Sequence, residues 1–86
     1  MGWKQNMKTT IIIYKRGNGY VADVGASQGL VLQGARCGIT AEDAALWAGR
    51  MMLRYASPDA NEDGGVLTAP SEVMGLVPEH LHTINR

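Results

Sequence analysis

The amino-acid sequence predicts an α+β fold in which an antiparallel sheet carries one long helix on one face. Two observations support this. Short runs of β-branched and aromatic residues follow one another with turn residues between them, and one longer stretch repeats alanine and methionine at helical spacing. With 86 residues, 45% of them hydrophobic, the chain suits a single domain with one small core. We expect this domain to span residues 1–86, with residues 1–7 as a flexible N-terminal tail, in the order β-β-β-α-β-β.

The first three strands are predicted to form an antiparallel meander. The run Lys8–Arg16 is rich in β-branched residues, and Gly17–Gly19 supplies the backbone freedom of a tight turn. The second strand, Tyr20–Gly25, alternates weakly. The third strand, Leu30–Cys37, contains Gly34, which predicts either a bulge or the close approach of another backbone.

The long helix is predicted from Ala41 to Tyr55. Thr40 is the expected N-cap, and Asp43 three residues later completes a weak capping box. One face is predicted to lie on the sheet, because small residues allow close packing and methionines fill gaps. Its members are Ala41, Ala44, Ala45, Ala48, Met51, Met52 and Tyr55.

The end of the chain is predicted to be a second hairpin. An acidic loop rich in helix breakers, Ser57–Gly65, follows the helix. Two strands, Val66–Ala69 and Glu72–Val77, are then joined by a Pro-Ser turn, and residues 78–86 leave as a short turn of helix or a tail.

Composition argues against several classes of function. Eight basic residues balance eight acidic ones, so we expect no direct sequence-specific binding of nucleic acid and little non-specific binding. No run approaches the roughly 20 apolar residues that span a bilayer, so no membrane partner is expected. A single cysteine, Cys37, cannot form an internal disulfide, which favours the reducing cytoplasm.

Three features imitate chemical sites. Asp59–Gly64 matches the first half of a calcium loop, but Pro70 stands where the bidentate glutamate belongs. His80 and His82 lie two residues apart without a third ligand nearby, so exposed histidines are the preferred interpretation. Cys37 precedes a helix but lacks a histidine partner, so a small buried residue is expected. We therefore predict no enzyme activity, no metal and no cofactor.

Two surfaces remain as candidates for binding a partner. The outer face of the helix is either a solvated face with a tryptophan at its border or a contact patch, since Trp and Arg are common at interface hot spots. Leu46 and Leu53 flank the predicted inner face at its edge. The candidate residues are Asp43, Trp47, Arg50 and Arg54 on the helix, and Asp59, Glu62 and Asp63 in the acidic loop.

The layout of the chain from residue 19 to residue 82 resembles a known family. The segments GYVADVG, VLQGARCGITAEDAALWAGRMMLRYASP and EVMGLVPEHL are similar to small phage anti-CRISPR proteins of the type I-F set, namely its fifth numbered family. A broader likeness, of topology only, is to HicB-type antitoxins, which are small β-β-β-α-β modules. The acidic loop is a departure from the anti-CRISPR pattern, which puts in doubt whether the same face meets the same subunit.

The resemblance implies a stoichiometric inhibitor rather than a catalyst. Such a phage protein acts in the cytoplasm of the bacterial host. There it binds a Cas protein subunit of a type I CRISPR-Cas surveillance complex and blocks DNA capture or nuclease recruitment. The alternative is a HicB-like antitoxin or another small regulatory module that binds protein. In either case we expect a monomer or a weak homodimer.

Overall fold

Five strands and two helices form the described part of this computed structural model, which covers residues 8–25, 31–59 and 63–85. The strands are β1 Thr9–Arg16, β2 Gly19–Gly25, β3 Val31–Gly38, β4 Gly64–Thr68 and β5 Thr83–Asn85. The long helix α1 is Ala41–Ala56, and a short helix α2, Ser71–Met74, and a 3₁₀ turn, Glu79–Leu81, lie between β4 and β5. The predicted α+β class and single long helix are confirmed. The expected tail at residues 1–7 lies outside the described ranges.

The sheet is mixed, so the prediction of a wholly antiparallel sheet is wrong. Its strand order is β3-β2-β1-β4-β5, and the β1-β2-β3 meander is antiparallel as predicted. However, β4 pairs with β1 in parallel, with Thr9 opposite Gly65 and Ile12 opposite Thr68. The reason is α1, which returns the chain along the sheet after β3 so that β4 runs in the same direction as β1.

The predicted second strand of the C-terminal hairpin, residues 72–77, is also wrong. This segment holds α2 and the turn that follows it. Val73 and Val77 are both buried, which is the i, i+4 spacing of one helical face rather than the alternation of a strand. Residues 79–81 form the expected short helical turn, but the chain then continues as β5, which pairs antiparallel with β4.

Helix α1 packs on the sheet through the face that the sequence predicts. Its N-cap is Thr40, whose Oγ1 accepts a hydrogen bond from the backbone N–H of Asp43 at 3.1 Å. Near the C-terminal end, the Tyr55 ring lies on β4 at Gly65, where a Cβ atom would come within 2.5 Å of the ring. The buried residues of α1 are Ala44, Ala45, Ala48, Met52 and Tyr55. Ala41 and Met51 are half-buried against the same core.

The opposite face of the sheet carries no helix among the described residues. Along β1 the buried Ile11 and Ile13 face α1, whereas Ile12 points to the other side and is 43% exposed. Between β2 and β3 the register shifts, and Gly34 has a φ of 68°. This confirms the predicted bulge, and it frees the Gly34 N–H to donate to Asp23 Oδ1 at 2.6 Å. Within the described ranges, no helix has the length and apolar character needed to cross a membrane.

Candidate protein-binding site

A groove of about 430 Å³ runs between α1 and the segment that connects α2 to β5. Residues from α1 form one wall and residues on either side of the 3₁₀ turn form the other. The apolar lining comprises Leu46, Gly49, Leu53, Leu76, Pro78 and Leu81. Glu42 and Arg50 lie at its rim, so the groove is an apolar surface with one charge of each sign.

Three leucines in this groove face solvent. Leu46 is 57% exposed, Leu53 is 54% exposed and Leu76 is 50% exposed. A single exposed leucine is ordinary on a protein surface, but three that converge on one concave surface are typical of an interaction site. The groove therefore satisfies the first requirement for binding another protein, which is apolar area held in a fixed shape.

Gly49 forms the part of the groove where α1 is narrowest. Glycine in the middle of a helix is less favourable than alanine by about 1 kcal/mol. Core packing does not require it here, because a Cβ atom would meet only Leu81 Cδ1, at 3.8 Å. The missing side chain leaves the groove deeper, and this is the one structural consequence of Gly49 that the surrounding atoms show.

The second wall of the groove is held in place by His82. Its ring Nε2 lies 2.9 Å from the carbonyl oxygen of Val77 and 3.1 Å from that of Met74. Both partners are acceptors, so Nε2 carries the proton and donates. His82 is half-buried, in contrast to the exposed histidine that the sequence predicts, whereas His80 is exposed as predicted.

The start of α2 is attached to the sheet by a second polar contact. The buried Tyr20 donates its hydroxyl to Glu72 Oε2 at 2.9 Å, and Lys15 Nζ lies 5.6 Å from the centre of the Tyr20 ring. The hydrogen bond to Glu72 raises the pKa of Tyr20. A backbone N–H hydrogen bond, helped by the Tyr20 hydroxyl, lowers the pKa of Glu72. The carboxylate is thus the form that holds α2.

The predicted helix residues divide between two flanks of α1. Arg50 lies at the rim of the groove. Asp43 and Arg54 are exposed, and Trp47 is half-buried because it packs against the core on the flank away from the groove. The structure thus brings Arg50, but not Trp47, to the apolar surface.

The acidic loop is only partly described. Asp59 is exposed, and its backbone N–H donates to Ser57 Oγ at 3.2 Å. Asp63 is half-buried at the start of β4. Glu62 lies outside the described residues, so the proposed cluster of three carboxylates is not visible as a unit.

Sequence reasoning did not assign Gly49, Leu76, Pro78 or Leu81 to a site. Leu76 and Leu81 were placed in a strand and a tail, where no shared groove would arise. One signal was present: Ile39, Leu46 and Leu53 are spaced seven residues apart, and all three are more than half exposed. A repeat of seven on a face separate from the core predicts a second apolar contact surface.

The remaining candidate groups for chemistry do not assemble into a site. Cys37 is buried as predicted, and burial raises the pKa of its thiol, so the nucleophilic thiolate is disfavoured. Within residues 8–25, 31–59 and 63–85, no three His, Cys, Asp or Glu side chains are grouped so as to hold a metal.

Comparison with known proteins adds no assignment. A scan against protein-family models gives no match, and a search of curated proteins finds no similar sequence.

Proposed function

We propose that this protein is a phage-encoded anti-CRISPR, a stoichiometric inhibitor of a type I CRISPR-Cas surveillance complex. It acts in the bacterial cytoplasm by occupying a surface of a Cas subunit, which blocks DNA capture or nuclease recruitment. The resemblance of residues 19–82 to type I-F inhibitors suggests this function. The structural observation that supports it is the exposed apolar groove beside α1.

The groove favours binding a protein over binding a small polar metabolite. Its lining is made of leucine, proline, alanine and glycine, and its two charged side chains lie at the rim. Interfaces between proteins have this arrangement, with an apolar centre and a polar border. The proposed occupant is therefore a segment of a Cas subunit with two or three apolar side chains. It carries a carboxylate where it meets Arg50 and a basic group where it meets Glu42.

The experiment uses a purified type I surveillance complex and a target DNA. Leu46→Glu and Leu53→Glu each place a charge in the groove, and we expect each to weaken binding by about 30-fold, which corresponds to about 2 kcal/mol for a buried contact. The matched control is Ile12→Glu, because Ile12 is 43% exposed on the opposite face of the sheet. Equal inhibition by wild type and both groove variants would rule out this surface.

The acidic loop and the outer face of α1 remain the competing surfaces. Asp59→Lys with Asp63→Lys reverses the loop, and Trp47→Ala with Arg50→Ala truncates the helix face. Loss confined to the loop variant, with slower association and weaker salt dependence, would indicate contact with a basic DNA channel. Loss confined to the helix variant would appear as faster dissociation, as it does for hot-spot residues.

A HicB-like antitoxin is the second candidate. The first five elements run β-β-β-α-β, with β4 parallel to β1, and this order favours the topological likeness. An antitoxin binds one small basic toxin and no surveillance complex. Size-exclusion chromatography of the chain with each partner separates the two functions. It also reports a third occupant of the groove, a second copy of this chain, in which Glu42 and Arg50 would pair across a two-fold axis.

A further inference from the structure

A second concavity, of about 260 Å³, lies at the end of the sheet where β1 turns into β2. Arg16, Asn18, Val21 and Arg36 line it. Arg16 lies on the same side of β1 as Ile12, which faces away from α1, and Arg36 is paired with Val21 on the neighbouring strands. This concavity is therefore on the opposite side of the molecule from the leucine groove.

Glycines leave room for both guanidinium groups. A Cβ atom at Gly34 would lie 3.9 Å from a terminal nitrogen of Arg16, so the Arg16 side chain reaches across β2 toward β3. A Cβ atom at Gly19 would lie 3.4 Å from a terminal nitrogen of Arg36, so the Arg36 side chain reaches back toward the start of β2. The two arginines thus extend over the same part of the sheet.

Neither guanidinium has a counter-ion in the part of the chain that the structure describes. Asp23, a carboxylate on the same face, accepts the Gly34 N–H instead. Two like charges that share one concavity repel each other, and an oxyanion between them removes this repulsion and accepts their N–H groups. The other basic residue of the hairpin, Lys15, lies by the Tyr20 ring and does not line the concavity.

Tyr14 determines which oxyanion fits best. It precedes Arg16 by two residues on the same face, is opposite Val21 and is half-buried, so its ring lies beside the arginines. An aromatic ring on an open sheet face next to unpaired arginines is the arrangement that binds single-stranded nucleic acid, with a base on the ring and phosphates on the cations. A net charge of zero does not oppose this, because the charge is local to one end of the sheet.

We propose that Arg16 and Arg36 form a site for a phosphodiester of single-stranded nucleic acid, with Tyr14 as a stacking platform. Binding at this site does not read the base sequence. The proposal is independent of the leucine groove and of its partner, and it stands or falls without the anti-CRISPR assignment.

The test measures fluorescence anisotropy of a dye-labelled oligothymidylate over a range of salt concentrations. For single strands the slope of log K against log salt is about −0.7 per neutralised phosphate, so Arg16→Gln and Arg36→Gln should each reduce the slope by about 0.7. Tyr14→Leu should weaken binding about tenfold and leave the slope unchanged. Lys8→Gln is the matched control, because it removes one charge from the other end of β1.

Two further probes identify the ligand chemistry. Inorganic phosphate that binds as tightly as the oligothymidylate would overturn the assignment to a nucleic-acid strand. A poly-glutamate peptide that binds with the same dependence on both arginines would overturn the assignment to phosphate. Equal weakening by Lys8→Gln and Arg16→Gln would show a non-local charge effect and would refute the site. Circular dichroism of each variant confirms that the fold is retained.

Discussion

Gly49 offers a perturbation that should separate stability from binding. In Gly49→Ala the new methyl group meets only Leu81 Cδ1 at 3.8 Å, which is an ordinary contact. Replacing a mid-helix glycine by alanine stabilises a helix by about 1 kcal/mol. For a domain of this size, that gain corresponds to a rise in melting temperature of about 4–8 °C.

A larger side chain at the same position tests the groove. Gly49→Leu keeps a strong helix former, so the free protein should stay as stable as wild type, while the leucine occupies the space that the glycine leaves open. If the groove binds a partner, this variant should lose binding although its fold is intact. The matched control is Ala56→Leu, which adds a leucine at an exposed position of α1 outside the groove.

Thermal unfolding followed by circular dichroism gives the stability, and titration against the purified surveillance complex gives the affinity. Gly49→Ala that melts below wild type would show that the glycine is needed for the fold, which would refute its assignment to groove depth. Gly49→Leu that binds like Ala56→Leu would show that the groove is not the contact surface.

Three further predictions concern the core and its polar contacts, and urea unfolding measures each. Ala48→Leu should lower the free energy of unfolding by about 1–3 kcal/mol, because Ala48 is fully buried against the sheet; an unchanged midpoint would contradict the packing. Thr9→Val should raise it by about 1 kcal/mol, since the buried Thr9 hydroxyl has no partner among the described residues; destabilisation would show that the hydroxyl is satisfied. Wild type should be more stable than Glu72→Gln at neutral pH, and this advantage should vanish as the pH falls below the ordinary glutamate pKa, because the pKa of Glu72 is lowered in the folded state. A difference that persists in acid would refute the role of the carboxylate.

The local signals of the sequence predict α1 and the meander well. The Thr40 cap, the alanine-rich inner face and the β-branched first strand each depend on neighbours within a few residues, and the structure contains all three. The Gly34 bulge is of the same kind, because a glycine in a strand interior has few other uses.

The C-terminal third could not be predicted in the same way. Val73 and Val77 fit either a buried strand or one face of a helical turn, and only packing against α1 decides between them. The parallel pairing of β4 with β1 depends on where α1 returns the chain, which no local pattern encodes. The groove shares this difficulty, since its second wall consists of Leu76, Pro78 and Leu81.

The surface residues were harder still. Trp47 is the residue type most often found at hot spots, but in the structure it is half-buried against the core. The arginines at positions 16 and 36 come together only because β1, β2 and β3 are adjacent in the sheet. Net charge, which is zero, conceals this local pair.

The most direct test of the proposed function is a titration of the wild-type protein against a purified type I-F surveillance complex that is cleaving its target DNA with its nuclease. An inhibitor of the proposed kind should abolish cleavage at a fixed molar ratio, and the chain should co-elute with the complex in size-exclusion chromatography. Full cleavage at a large molar excess of the chain, with no co-elution, would contradict the anti-CRISPR function and move the antitoxin-like function to first place.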